Sequence, residues 1–143
     1  MADHQRPALA AVAIALVAVA GCGGGGKKAS DAQLAGAAVS GFSKALGSGD
    51  GKAGCDLLTS AARATFLKSV QALTATRDCA AAMKKVHDAA GVDVNAAFSA
   101  ATVSNVKVSG SSATATLTAS GHSVRVNLVK QGGKWRLTGV PGT

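Results

Sequence analysis

Apolar residues in the first part of the chain recur at the spacing of an amphipathic helix. They fall four positions apart and comprise Leu34, Ala38, Phe42 and Leu46. Ser30 and Gln33 precede this stripe as a capping-box pair, in which each side chain bonds the other residue's backbone. Gly47 follows the stripe and is a natural C-terminal stop. The pattern therefore predicts a helix from Asp31 to Leu46.

Two further helical segments follow, each opened by a residue suited to N-capping. Asp50 is expected to cap a short helix that runs through Leu58. Thr59 or Ser60 begins the next helix. Its inward positions follow the helical period and are Ala62, Phe66 and Val70.

A last helix is predicted to begin near Asp78 and to end at Gly91. Its apolar positions share one face and consist of Cys79, Ala82, Met83, Val86 and Ala90. The Met and Phe positions of these helices are typical of core packing rather than of a cofactor site. No helix is predicted between Gly91 and the strands that follow.

The apolar period changes from 3.6 to 2 from Val103 onward, which indicates strands. Turn signals separate four alternating runs and occur at Gly110-Ser111, Ser120-Gly121 and Gln131-Gly132-Gly133. The last run extends from Lys134 to Val140, with Trp135 and Leu137 in phase. The sequence therefore predicts an α+β fold, in which N-terminal helices pack on one face of a four-stranded antiparallel meander.

The first residues of the chain have the pattern of an export signal. Ala8 to Ala20 is an unbroken apolar run of 13 residues, about 20 Å long as a helix and too short for a bilayer core of about 30 Å. The run leads into Val19-Ala20-Gly21-Cys22, which resembles the lipobox of bacterial lipoproteins. We expect a lipoprotein signal peptide at 1–21, and the alternative is a plain secretory signal with an incidental cysteine.

The lipobox resemblance implies that Cys22 carries a diacylglyceryl anchor, whose two chains suffice for stable attachment. Residues 22–29 then form a tether rich in Gly and Lys, and 30–143 form a single domain on the outer face of the cytoplasmic membrane. The chain has a net charge of +8. For an exported protein, this charge favours anionic lipids or an envelope protein as partners and not nucleic acid. The alternative is that the charge serves solubility, and we expect a monomer.

Once Cys22 is assigned to the anchor, Cys55 and Cys79 remain as an even pair. An oxidising compartment favours a disulfide between them. Such a bridge would join the second predicted helix to the last. Free thiols, or a redox or metal pair, are the alternatives, although the spacing is not that of a C-x-x-C motif.

The helices, the paired cysteines and a final strand motif together resemble a known family. The motif is Lys130-Gln131-Gly132-Gly133-Lys134-Trp135-Arg136-Leu137. These features are similar to those of actinobacterial lipoproteins with a nuclear-transport-factor-2-like, or cystatin-like, domain. The resemblance implies a cone-like fold with a pocket between a concave sheet and its helices. The superfamily contains steroid isomerases and polyketide cyclases as well as non-catalytic binding domains, so the fold alone assigns no function.

Candidate chemistry in the chain is sparse. There is no Tyr, no acidic residue follows Asp93, and no hydrolase, metalloprotease or nucleotide-binding motif is present. We therefore expect no catalytic residue, no metal site and no cofactor. His87 or His122 acting with Asp88 is the one enzymatic alternative.

Two residues are candidates for lining a ligand pocket. Trp135 is the only Trp of the chain and could line a pocket mouth, and Arg125 projects opposite Val124 and Val126. Core packing of Trp135 and a solvated outer face for Arg125 are the alternatives. The favoured function is a non-catalytic ligand- or partner-binding domain of the cell envelope. A structural envelope protein with no pocket and an enzyme of the isomerase or cyclase type are the other hypotheses.

Overall fold

The computed structural model describes residues 28–142, in which helices precede strands along the chain. The helices are α1 (Asp31–Ser48), α2 (Gly51–Asp56), α3 (Ser60–Thr74), α4 (Cys79–Ala90) and α5 (Val92–Ser99). The strands are β1 (Thr102–Ser109), β2 (Ser112–Ala119), β3 (His122–Gln131) and β4 (Lys134–Leu137). The expected signal peptide, Cys22 and the tether up to residue 27 lie outside the described residues. Among the helices of 28–142, none combines the length and the apolar character that crossing a membrane requires.

The capping box predicted for α1 is present. The Ser30 hydroxyl accepts a hydrogen bond from the Gln33 backbone at 3.2 Å, and the Gln33 side chain accepts one from the Ser30 backbone at 2.8 Å. The prediction that Gly47 ends the helix was wrong, because α1 continues to a C-cap at Gly49, whose φ is +73°. Gly47 instead lies inside α1, where a Cβ would stand 2.2 Å from the Ser99 hydroxyl.

Asp50 is confirmed as a helix cap, Thr59 rather than the alternative Ser60 caps α3, and Asp78, near which the last helix was predicted to begin, caps α4. Each cap side chain accepts a hydrogen bond from a backbone N–H of the first helical turn, and the three caps are Asp50, Thr59 and Asp78. The α2 helix ends at Asp56, earlier than the predicted Leu58. It ends there because the following residues pair with β4: the Leu137 N–H donates to the Leu57 carbonyl at 2.8 Å, and the Thr59 N–H donates to the Leu137 carbonyl at 3.0 Å.

The α5 helix was not predicted. It begins directly after Gly91, the residue with φ of +81° that also ends α4. It packs against α1 and α4. The Ser43 hydroxyl of α1 donates to the Phe98 carbonyl at 2.7 Å, and the Asn95 amide donates to the His87 carbonyl of α4 at 3.0 Å.

The four-stranded antiparallel meander is confirmed, with strand order β1-β2-β3-β4. β4 ends at Leu137 rather than at the predicted Val140. The register between β1 and β2 shifts between Ser104 and Lys107, at Asn105, whose φ is +50°. This irregularity is a β-bulge in β1, one of the two edge strands.

The core lies between the inner face of the sheet and the helices. Its largest fully buried side chains are Phe42, Leu58, Met83, Leu117 and Leu137. The predicted disulfide is present and joins Cys55 of α2 to Cys79 of α4, with their Cα atoms 6.1 Å apart. The architecture is therefore an α+β domain whose helices cover one face of the sheet.

Candidate functional site

An apolar cleft of about 390 Å³ separates α5 from the sheet. This α5 cleft is lined mainly by carbon atoms, and its apolar lining residues are Val94, Ala97, Phe98, Leu117, Ala119, Val124 and Pro141. The volume lies within the range of about 300–1,000 Å³ that small-molecule sites occupy. Its lining is more apolar than that of the four other grooves, of about 210–380 Å³, that we describe between residues 28 and 142.

Small side chains and the position of α5 together leave this space open. Leu117 and Val124 face each other across β2 and β3 and contribute to the sheet side of the cleft. Ala97 on the helix side and Ala119 on the sheet side are too short to meet across it. The α5 helix packs on α1 and α4. Phe98 also packs against the core, but no residue of α5 is fully buried, and a concave surface remains between the helix and the sheet.

Three polar residues lie at the edge of the α5 cleft. Asp93 is in the first turn of α5, Ser120 is in the β2–β3 turn, and His122 begins β3. Ser120 has a φ of +48°, a conformation that L-residues adopt mainly in tight turns. All three are exposed, and within the described chain no hydrogen bond joins their side chains. This edge can hydrogen-bond the polar end of a molecule whose apolar part occupies the cleft.

The histidine hypothesis grouped residues that lie at different places in the fold. His87 on α4 has its Nδ1 3.0 Å from the Leu46 carbonyl oxygen. Asp88 forms an ion pair with Lys84 at 2.9 Å, and the hydrogen bond from this ammonium group lowers the pKa of the Asp88 carboxyl. His122 instead shares the cleft lining with Asp93.

Trp135 points inward and is buried. Its indole N–H donates to the Asp31 carboxylate at 3.2 Å, and the Lys130 ammonium group donates to the same oxygen at 2.7 Å. Both hydrogen bonds lower the pKa of the Asp31 carboxyl, and the one from Lys130 has the larger effect. Trp135 therefore secures the start of α1 against the β3–β4 hairpin. It also borders a groove of about 340 Å³ beside Leu34.

Arg125 lies on the opposite face of the sheet, where it is exposed and pairs with Thr116 of β2. It borders two polar grooves of about 260 Å³ and 210 Å³. The structure thus places Trp135 inward and Arg125 outward. Neither residue lines the α5 cleft, and the two do not share a site.

Sequence reasoning missed Asp93 as a site residue because it missed α5. A signal was present, since Val94, Ala97 and Phe98 follow the i, i+3, i+4 spacing of a helix face. In the part of the chain that the structure describes, no three His, Cys, Asp or Glu side chains cluster as metal ligands would.

Comparison with known proteins found no match: no family model, no curated protein and no solved structure is significantly similar to this chain. The argument for function therefore depends on the residues and on the geometry of the cleft.

Proposed function

We propose that this chain is an exported lipoprotein whose domain binds a small apolar molecule in the α5 cleft, without catalysis, at the outer face of the cytoplasmic membrane. The observation that carries the ligand-binding part is the cleft itself. Apolar side chains that border an open cleft gain free energy when an apolar ligand removes them from water, by about 25 cal/mol per Å² buried.

The sequence supports the anchoring part of the proposal. The apolar run from Ala8 to Ala20 has the length of the apolar region of a signal peptide, and the residues before Cys22 match a lipobox. Mass spectrometry of the protein extracted from its own membranes should find a diacylglyceryl group on an N-terminal Cys22. A Cys22→Ser variant should not carry the lipid. A chain that retains residues 1–21, or an unmodified cysteine at this position, would contradict the anchor.

Membership of the nuclear-transport-factor-2-like, cystatin-like group remains part of the same proposal. The resemblance implies a sheet closed by helices with a pocket between them, and in this chain helices cover one face of the sheet and the α5 cleft lies between sheet and helix. The Gly133-Lys134-Trp135-Arg136-Leu137 run forms β4 and its preceding turn. This support is architectural and assigns no ligand.

The shape and chemistry of the cleft favour one class of ligand. Seven apolar residues line the cleft, whereas its polar lining residues Asp93, Ser120 and His122 are all exposed to solvent. A ligand with an apolar body and a single polar end fits this division. An acyl chain or a comparably sized hydrophobic metabolite has this form.

The direct test fills the cleft from α5. Ala97 lines the cleft, while the neighbouring Ala96 is exposed and does not. In the mature chain carrying Cys22→Ser, Ala97→Phe should weaken binding of the fluorescent probe 1-anilinonaphthalene-8-sulfonate about tenfold or more, because the added ring takes up part of the cleft that the probe would fill. Ala96→Phe is the matched control and should leave the affinity unchanged.

Equal affinities for the two variants would place the probe elsewhere and contradict a site in the cleft. Native mass spectrometry of protein purified from its host should in addition show a co-purifying apolar molecule that the Ala97→Phe variant lacks. Absence of both signals would favour the structural envelope role instead.

One observation favours a second candidate, an enzyme of the isomerase or cyclase type. An imidazole (His122) and a carboxylate (Asp93) line the same cleft, and these are the groups that general acid–base catalysis uses. In that case the co-purified molecule should be chemically converted by the protein. The conversion should be lost in His122→Ala while binding is kept.

A further inference from the structure

The outer face of the sheet is covered by no helix of the described chain and is polar throughout most of its area. Residues that pair across strands lie on the same face of a sheet. One row joins Lys107 of β1 to Thr114 and Asn127, and the next joins Thr116 to Arg125. We call this surface the basic sheet face; its outward residues include Lys107, Thr114, Thr116, Arg125, Asn127 and Arg136.

The charges of this face have one sign. The chain has five basic residues and no acidic residue after Asp93, so the sheet itself contains no carboxylate. Lys107 and Arg125 form no ion pair within the described chain, where the four pairs involve other residues. Arg136, at the far side of the face, donates a hydrogen bond to the Asp56 carbonyl.

Lys107 and Arg125 border one shallow groove together with hydroxyl-bearing side chains. The groove has a volume of about 210 Å³ and lies across β2, with Thr114 and Thr116 between the two cations. Two cations with hydroxyl donors between them match the hydrogen-bonding needs of a phosphate group. The groove is exposed, so a phosphate that projects from a surface can reach it without rearrangement of the sheet.

The proposed anchor would keep this face close to a bilayer. The eight residues 22–29 can span at most about 28 Å. The tether joins the domain at α1. The carboxylate of Asp31, the first residue of α1, accepts hydrogen bonds from Lys130 and Trp135 beside the β3–β4 hairpin. The tether therefore enters beside the β3–β4 hairpin, at the β4 edge of the sheet on its helix-covered side.

We propose that the basic sheet face lies against the anionic phospholipid surface of the membrane to which the chain is anchored, with a lipid phosphate between Lys107 and Arg125. This inference depends on the anchoring part of the proposed function. A bilayer is the occupant that the structure favours, since the face is an exposed sheet surface and a short tether holds it beside phospholipid. A soluble anionic polymer would share the phosphate chemistry but not the proximity.

The test measures partition of the mature chain carrying Cys22→Ser into vesicles, so that the protein surface alone decides binding. Vesicles of phosphatidylcholine with phosphatidylglycerol are compared with phosphatidylcholine alone by co-sedimentation at low ionic strength. The Lys107→Gln/Arg125→Gln variant should bind the anionic vesicles about thirtyfold more weakly, as the loss of two charges near an anionic surface predicts. The matched control, Lys44→Gln/Lys68→Gln, removes two exposed charges from α1 and α3 and should bind as the parent does.

Equal losses in the two double variants would show attraction by overall charge and would overturn the proposal, as would no loss in either. Binding to polyphosphate in solution without binding to anionic vesicles would overturn it in favour of a polymer partner. Far-ultraviolet circular dichroism checks that each variant is folded. An unmodified Cys22 in the native protein would contradict the anchor alone, because the vesicle measurement uses a chain that cannot be lipidated.

Discussion

The interface between α2 and α4 is closely packed, whereas the side of α5 that faces the sheet is open. A Cβ added to Gly51 would lie 2.1 Å from the Ala80 carbonyl oxygen, and one added to Gly54 would lie 2.3 Å from the Met83 sulfur. The disulfide joins the same two helices. The α5 helix is packed as closely on α1, where a Cβ added to Gly47 would lie 2.2 Å from the Ser99 hydroxyl. It has no buried residue and no side-chain N-cap, however, and the open cleft separates it from the sheet. The comparison separates a region built for stability from one that leaves room for a ligand.

Such a division is common in proteins, because binding sites need accessible surface and therefore give up packing. In this chain the division follows residue size. Glycine allows the α2 and α4 backbones to approach closely, whereas alanine on both sides of the cleft leaves a gap that neither side fills. The two regions should therefore respond in opposite ways to the same kind of substitution.

The largest expected effect comes from removing the bridge between α2 and α4. The cysteines are separated by 24 positions, and a loop of this size implies a loss of about 3 kcal/mol in the free energy of unfolding. Cys55→Ala/Cys79→Ala should therefore lower the Tm by about 10 °C, measured by circular dichroism. Reduction of the parent protein should give the same Tm as the variant, and a further drop on reducing the variant would assign the effect to another cause.

A smaller effect is expected from enlarging one alanine in each region. Ala82 of α4 is fully buried, so Ala82→Leu should overpack the core and destabilise the domain by about 1–3 kcal/mol. Ala97 of α5 borders the cleft, and Ala97→Leu should change stability by less than about 0.5 kcal/mol. Urea unfolding measures the free energy of unfolding of both variants. Similar losses in the two would show that the regions do not differ in packing.

The smallest effect concerns how the first turns of α1 and α5 are held. Hydrogen bonds from Lys130 and Trp135 lower the pKa of Asp31, so its charged form stabilises the folded state. This contribution is complete above the pKa of the unfolded chain, about 3.9, and is lost as the pH falls through the lower folded value. Asp31→Asn should reduce the Tm at neutral pH, and the difference from the parent should shrink in acid.

Asp93→Asn is the control for this measurement, because Asp93 also lies in the first turn of a helix but has no ion-pair partner among the described residues. The Asp93 carboxylate can interact with the helix dipole as that of Asp31 does, but it lacks the two hydrogen bonds. Asp93→Asn therefore removes the dipole effect alone. If both variants showed the same dependence of Tm on pH, the contacts of Asp31 would not be its source.

Local sequence rules were sufficient for much of the fold. The caps at Ser30, Asp50, Thr59 and Asp78 act within one helical turn, so their residue types identify them. The turns of the meander are equally local, and the inward phase of each strand follows from alternation. The disulfide followed from the proposed compartment and an even cysteine count rather than from any local pattern.

The α5 helix was missed because its apolar pattern is short and because its first boundary residue also ends α4. Gly91 ends one helix and begins the next, which hides the boundary, and the exposed Val92 and Val94 blur the apolar face. The bulge at Asn105 similarly interrupts the alternation, since Val103 and Val106 pack toward the core although their separation is odd. The cleft depends on where α5 sits in three dimensions, which no local pattern contains.

The pairing of Leu57 and Thr59 with Leu137 has a consequence for proteins that are concentrated at a surface. An exposed strand edge is a template on which neighbouring copies can add strands and aggregate. Here the chain itself occupies part of the β4 edge, and the bulge at Asn105 disrupts the β1 edge. Both edges of the sheet are therefore poor templates, so copies of this domain should have little tendency to polymerise even at high local concentration.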